Sequence, residues 1–135
     1  MITLLADVNI EGHVTRLVAL MRTPYWLELW DDLGLRYQRF RDVGLAASDS
    51  DSHVWQFCQQ HQLCLLTSNR NDDGLDSLEA TIRVHSTASS LPVFTIPDAD
   101  SIMQSGVYAE RVVEKLYDYL LRIETVRGTG RLFLP

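Results

Sequence analysis

Residues 65–78 read LLTSNRNDDGLDSL, in which an apolar run is followed by a polar loop and then by the start of a helical pattern. A brief apolar run of this kind is typical of a strand that is buried on both faces. Polar residues that directly follow such a strand lie at the sheet edge where ligands bind in α/β folds. The stretch therefore predicts a strand–loop–helix unit, and its loop is either a metal site or a well-made turn.

The same order of strand and helix recurs along the chain. Short apolar runs predict strands at 2–6, 63–66 and 92–96, and a looser alternation predicts an exposed strand at 35–43. Apolar residues at helical spacing predict helices at 10–21, 26–33, 54–61 and 107–123, and a further helix that begins near residue 78. The first two are either consecutive helices or one helix broken at Pro24.

The borders of these elements carry turn and capping residues. Asp76, with Glu79 three residues later, predicts the cap of the helix that begins near Leu78. The last residues, RGTGRLFLP, predict a glycine turn followed by an edge strand or by an arm that contacts a neighbouring subunit.

Strands that alternate with helices imply a parallel sheet, because each crossover must carry the chain back over one face of the sheet. We therefore expect an α/β fold, a three-layer sandwich with a mainly parallel central sheet of four to five strands. The chain has 135 residues, of which 46% are hydrophobic, enough for one buried core. A single domain over residues 1–135 is the expectation.

Composition limits the classes of function. The formal net charge is −6, which argues against binding a polyanion through bulk charge. Cys58 and Cys64 stand at apolar positions without C-x-x-C spacing, so free buried thiols in a reducing compartment are expected. The opening MITLLADVNI has no basic segment, and no apolar run is long enough to cross a bilayer. We expect a cytoplasmic protein with no membrane contact.

Several familiar sites are excluded by their missing motifs. The sequence contains no G-x-S-x-G elbow and no glycine-rich phosphate loop. The four histidines have no metal-type spacing with the cysteines, and His53, two residues after Asp51, is the best candidate among them. The three tryptophans are spaced as packing residues.

Each predicted strand is followed by residues that could supply oxygen ligands. Clustered carboxylates repel one another unless a hard cation such as Mg²⁺ or Mn²⁺ binds among them. Asn and Asp are also the favoured capping and turn residues, so Asn9 is equally a cap for the first helix, and Asp49 or Asp51 for the helix at 54–61. The candidates are Asp7, Asn9, Asp49, Asp51, Asn69, Asn71, Asp72, Asp73, Asp98 and Asp100.

Two stretches, LLADVNI at residues 4–10 and DSHVWQFCQQHQLCLLTSNRND at residues 51–72, resemble the PIN-like nuclease superfamily. The chain looks most like its short PIN-like branch related to the ribonuclease toxins of toxin–antitoxin pairs. The motifs cover about the first 75 residues. The resemblance implies a parallel sheet whose strand ends bind Mg²⁺ or Mn²⁺ for RNA phosphodiester hydrolysis.

The resemblance also implies roles for individual residues. Asp7 and Asp51 match two family acids, as catalytic residues and metal ligands. Asn9 and Thr67 match the family's amide and threonine, as substrate-binding residues. Asn69 and Asn71 depart from the pattern, because that branch commonly has aspartates there and an amide brings no charge to a cation. Asn69 is retained as a catalytic residue and ligand, Asp72 or Asp73 as a substitute acid ligand, and Arg70 as a clamp on a substrate phosphate.

Two hypotheses follow. The first is a metal-dependent ribonuclease of PIN-like type, weakened by asparagines at acidic positions. The second is a PIN-like fold without catalysis that binds a second copy of itself as a homodimer, or a small protein partner. The second rests on the two asparagines and on an expected exposed apolar face of the last long helix, where Tyr117 and Leu121 widen the apolar stripe.

Overall fold

A computed structural model describes residues 1–70 and 74–135, and the sheet within them is all-parallel. Across the sheet the strands lie in the order second, first, third, fourth and fifth, so the first and third strands are neighbours inside the sheet. Helices cover both faces, which confirms the predicted three-layer α/β architecture. The strands are β1 (Ile2–Ala6), β2 (Leu35–Gln38), β3 (Leu63–Thr67), β4 (Val93–Thr95) and β5 (Arg131–Phe133).

The helices fill the crossovers between these strands. No helix in the described part of the chain has the length and apolar character needed to cross a membrane. A short 3₁₀ turn, Val8–Ile10, follows β1. The helices are α1 (Glu11–Met21), α2 (Leu27–Asp32), α3 (Phe40–Val43), α4 (Asp51–His61), α5 (Leu78–His85), α6 (Asp100–Gln104), α7 (Gly106–Leu121) and α8 (Ile123–Val126).

The apolar runs of the central strands are continuous because both sides of the sheet are covered. Successive side chains of a strand point to opposite faces. In β1, Leu4 and Ala6 join the core formed with α1 and α7, whereas Leu5 joins the core formed with α3, α4 and α5. In β3, Leu66 likewise joins the core with α1 and α7, and Leu65 joins the core with α3, α4 and α5. Both strands are thereby fixed in register from two sides.

The predicted strand at 35–43 is wrong beyond Gln38. After β2 the chain turns into α3, because the Asp42 carboxylate accepts a hydrogen bond from the Arg39 backbone N–H at 2.8 Å and closes a capping box. Phe40 is then directed into the core at 4% exposure. The apparent alternation of this stretch thus came from a short helical turn.

Two helix borders also differ from expectation. Ser77, and not Asp76, caps α5, because the Ser77 hydroxyl accepts a hydrogen bond from the Ala80 N–H at 3.1 Å. The predicted helix at 107–123 ends at Leu121, and the chain continues into the separate turn of α8.

The prediction of an exposed apolar face on α7 is wrong at Tyr117. This side chain is 1% exposed, stacks on Trp26 with ring centroids 5.1 Å apart, and donates its hydroxyl to the Met21 carbonyl at 2.8 Å. Burial raises the pKa of Tyr117 to about 12, so its hydroxyl stays protonated. Leu121, at 56% exposure, does lie on the surface.

The C-terminal segment forms an edge strand, which was one of the two alternatives for it. Strand β5 pairs in parallel with β4, with Arg131 opposite Val93 and Phe133 opposite Thr95. Gly130 precedes it with φ +82°, and a Cβ there would lie 3.0 Å from a methyl group of Ile82. Glycine therefore allows the chain to turn closely over α5 into β5.

Both cysteines are free and buried, one on each side of the sheet. Burial raises the pKa of Cys58 and of Cys64 from an ordinary value of 9.0 to about 12. At neutral pH the thiolate, which is the reactive form, is therefore scarce in the folded chain.

We predict that a thiol-reactive disulfide reagent labels neither cysteine in the native protein near pH 8, and labels both after unfolding. Since folding keeps both thiols protonated, the unfolded chain ionises first, and the free energy of unfolding should fall as pH rises from 9 towards 12. Labelling kinetics and denaturant titrations measure the two effects. Rapid native labelling would contradict the burial of both side chains.

Candidate functional site at the ends of the central strands

The candidate site lies where the chain connections diverge from the centre of the sheet. From β1 the chain crosses to β2 on one side, and from β3 it continues to β4 and β5 on the other. Such a point leaves a crevice at the carboxyl ends of the two central strands. Asp7 follows β1, whereas Thr67 and Asn69 lie at the end of β3, and Asp51 begins the helix that leads into β3.

Asp7 is held by its backbone and by its side chain. Its N–H donates to the Leu66 carbonyl at 2.9 Å, and its own carbonyl accepts from the Ile10 N–H at 3.0 Å. Its carboxylate accepts a short hydrogen bond, 2.6 Å, from the Thr67 hydroxyl. Thr67 is fully buried and also accepts from the Asn69 N–H at 2.9 Å, so one hydroxyl fixes both neighbours.

Asp51 is the first residue of α4 but not its cap. The Ser50 hydroxyl accepts from the His53 N–H at 3.1 Å, which satisfies the helix start and corrects the assignment of the cap to Asp49 or Asp51. Asp51 stands in the first turn, where the helix dipole favours a negative charge. Its carboxylate accepts from the Asn69 side-chain amide at 2.9 Å.

The two carboxylates share a small pocket. Asp7 and Asp51 line it together with Asn9 and Asp49, and it encloses about 50 Å³ of free space. Asp49 is committed to its own turn, because its carboxylate accepts from the Ala46 N–H at 2.8 Å. The remaining walls are mainly apolar, formed by Val8, Phe40, Ala47, Val54, Leu65 and Leu78.

The donor set in the described residues is limited. No group of three or more His, Cys, Asp or Glu side chains in residues 1–70 and 74–135 is arranged to hold a metal ion. Two carboxylates remain, Asp7 and Asp51, supported by one hydroxyl and one amide. Asn71, Asp72 and Asp73 lie outside the described residues, so the predicted additional acid ligand is untested.

The structure brings together four of the predicted site residues, Asp7, Asp51, Thr67 and Asn69. Asn9 is exposed on the rim of the pocket, and it does not cap the first helix, whose capping position is Ile10. Arg70 is exposed and lines a different cleft, beside β5.

The acids that follow β4 serve local structure. Asp98 accepts from the Ser101 hydroxyl at 2.6 Å, and Asp100 forms a 3.1 Å contact with the His13 imidazole. His53 is exposed, and its ring lies 6.4 Å from that of Phe57. None of the three lines the pocket at Asp7 and Asp51.

Arg131 supports the site and was missed by sequence reasoning. Its guanidinium donates to the Asn69 carbonyl at 2.8 Å and to the Thr95 hydroxyl at 2.6 Å, and it forms an ion pair with Glu79 at 2.9 Å. The side chain is only 6% exposed. The one sequence signal for this role was the presence of an arginine inside a short apolar terminal segment. No local pattern in the sequence links residue 131 to residue 69.

Comparison of the chain with protein-family models, with curated proteins and with solved structures finds no match. The geometry of the site is therefore the basis for assigning a function.

We predict that Thr67→Val lowers the free energy of unfolding by about 1–3 kcal/mol, because it removes a buried donor from Asp7 and an acceptor from the Asn69 N–H. Thr3→Val is the matched control in the neighbouring strand. Thr3 is half-buried and makes no side-chain hydrogen bond to the described residues, so its replacement should change stability by less than about 0.5 kcal/mol. Denaturant unfolding measures both, and equal effects would argue against the bridging role of Thr67.

Proposed function

We propose that the chain is a metal-dependent ribonuclease of PIN-like type that hydrolyses RNA phosphodiester bonds at the Asp7–Asp51 pocket. The observation that carries the proposal is the convergence of two carboxylates, from separate elements, on one pocket at the ends of the central strands. Two carboxylates at such a position repel each other, so their proximity has an energetic cost. A function that uses their combined negative charge, at the strand ends where ligands bind, explains that cost.

The donor chemistry fits Mg²⁺ or Mn²⁺. Magnesium usually retains several waters and is bound through one or two carboxylates together with substrate phosphates. Asp7 and Asp51 supply that number of carboxylates, and all the polar groups at the pocket are hard oxygen or amide groups. When bound, such a cation lowers the pKa of a coordinated water and neutralises charge on the phosphate.

The other residues would act by orienting the two acids. The Thr67 hydroxyl directs one oxygen of Asp7, and the Asn69 amide directs one oxygen of Asp51. Each carboxylate has a second oxygen to turn towards the pocket. Orientation of ligands by neighbouring hydrogen bonds is the usual means by which a protein tunes a metal site.

A second candidate function is favoured by the same two hydrogen bonds. Each acid already has a neutral protein donor, so the pair is partly stabilised without a cation. A PIN-like module that has lost catalysis and acts through self-association or a small protein partner would keep this arrangement. The burial of Tyr117 removes one residue of its proposed interface, whereas Leu121 remains exposed.

We expect metal-free wild-type protein to bind Mn²⁺ saturably in calorimetric titration and to cleave single-stranded RNA when Mn²⁺ or Mg²⁺ is added. Asp7→Asn should abolish the binding and lower cleavage by at least about 100-fold, because it removes a ligand and not merely a supporting group. Asp118→Asn is the matched control, since Asp118 is a half-exposed carboxylate on α7, away from the pocket. Cleavage that survives in Asp7→Asn would refute the assignment.

Asn69→Asp separates the two candidate functions. The change replaces the donor to Asp51 with a third carboxylate, so metal-free protein should lose about 2 kcal/mol of stability. It should also tighten Mn²⁺ binding about tenfold, because affinity rises with ligand charge. Calorimetry and unfolding measure the two effects. Binding of Mn²⁺ by both the wild type and Asn69→Asp supports the nuclease. Binding of Mn²⁺ by Asn69→Asp alone supports the module that has lost catalysis.

A further inference from the structure

A second cleft lies beside the candidate site, at the end of β5. It is lined by Arg70, Glu79, Ile82, Arg83, Thr129, Gly130, Arg131 and Phe133. Three arginines against one glutamate leave this described lining with a net charge of +2, in a chain whose total formal charge is −6. A positive concavity on an acidic protein favours an anionic ligand at that place over the rest of the surface.

The arginines of the cleft have different roles. Arg131 is buried and already paired with Glu79, so it forms the floor of the cleft. Arg70 and Arg83 are exposed on its two sides, one after β3 and the other on α5. Their guanidinium groups are therefore accessible to phosphate, which they match as bidentate donors.

An exposed aromatic ring completes the cleft. Phe133, the last residue of β5, is 52% exposed although the sheet beside it is buried. Aromatic rings next to basic side chains are the usual platform for the bases of single-stranded nucleic acids. An unpaired base stacked on Phe133 would keep the adjoining phosphates near the arginines.

The linings of the cleft and of the acidic pocket are linked through Asn69. The side-chain amide of Asn69 donates to Asp51 on the pocket side, and the carbonyl of the same residue accepts from Arg131 on the cleft side. A single residue therefore joins the two sites through hydrogen bonds of 2.9 and 2.8 Å.

We propose that this cleft binds single-stranded RNA, with Arg70 and Arg83 on consecutive phosphates and one base stacked on Phe133. The inference rests on the proposed nuclease function for its choice of RNA. It extends that function by assigning a substrate subsite outside the acidic pocket. Affinity then comes from the arginines and the aromatic ring, and hydrolysis from the two acids.

The test measures binding of a fluorescein-labelled single-stranded oligoribonucleotide of about ten nucleotides by fluorescence anisotropy, in EDTA and over a series of salt concentrations. EDTA separates the two sites, because a failure of the metal site abolishes cleavage and leaves this binding intact.

Arg83→Gln should weaken binding about tenfold and reduce the slope of log Kd against log salt by roughly 0.7, the value for one phosphate contact on a single strand. Phe133→Leu should weaken binding by a similar factor with an unchanged slope, because stacking releases no counterions. Arg36→Gln, at the opposite sheet edge on β2, and Tyr25→Leu, with an 84% exposed ring, are the matched controls and should bind as wild type does.

Three results would overturn the proposal. These are no saturable RNA binding by wild-type protein, wild-type affinity in both Arg83→Gln and Phe133→Leu, and an equal loss in the Arg36→Gln control. Tighter binding of a double-stranded RNA of the same length would also count against it, because a paired base is not free to stack on Phe133.

Discussion

The parallel pairing of β1 with β3 is the constraint on which the rest of the structure depends. Both strands are buried on two faces, and the hydrogen bond from the Asp7 N–H to the Leu66 carbonyl extends their ladder to the end of β1. Parallel strands end at the same edge of a sheet, so this pairing brings residue 7 next to residue 67 across sixty positions of sequence. The acidic pocket is a consequence of that geometry.

Keeping two carboxylates at such a position is costly unless each has a partner. The chain supplies a hydroxyl for Asp7 from Thr67, the last residue of β3, and an amide for Asp51 from Asn69, in the loop that follows. Asn69 therefore has a physical role that an aspartate cannot fill without a cation, since a carboxylate has no N–H to donate. The asparagine at position 69 accordingly lowers both the repulsion that a cation would relieve and the negative charge available to bind one.

The predictable parts of the molecule are those determined by short-range sequence pattern. The apolar runs of β1 and β3 and the helical spacing of α1 and α7 were sufficient to predict the three-layer fold. The polar residues directly after the predicted first and third strands were sufficient to place Asp7 and Asn69 at the same edge of the sheet, whereas Thr67 was singled out only by the resemblance to PIN-like nucleases.

The parts that sequence reasoning missed depend on tertiary contacts. The burial of Tyr117 is decided by Trp26 and by the Met21 carbonyl, and the role of Arg131 by Asn69 and Glu79. Residues 39–43 show a different limit, because a four-residue helix is too short to display helical periodicity and its cap was read as strand alternation. Local pattern thus predicts which strands and helices form, whereas the pairing of distant side chains needs the structure.

The two surfaces at the end of the sheet, the acidic pocket and the arginine-lined cleft, carry opposite charges. In the proposed nuclease, an acidic pocket alone would repel RNA, and an arginine cleft alone would have no means of hydrolysing it. Asn69 lies between them, because its side-chain amide donates to Asp51 and its backbone carbonyl accepts from Arg131. A carboxylate side chain at this position would lose the hydrogen bond donated to Asp51 and would be repelled by it, whereas the backbone contact with Arg131 would remain. The contact with Asp51 is therefore the physical reason for a neutral amide at the boundary.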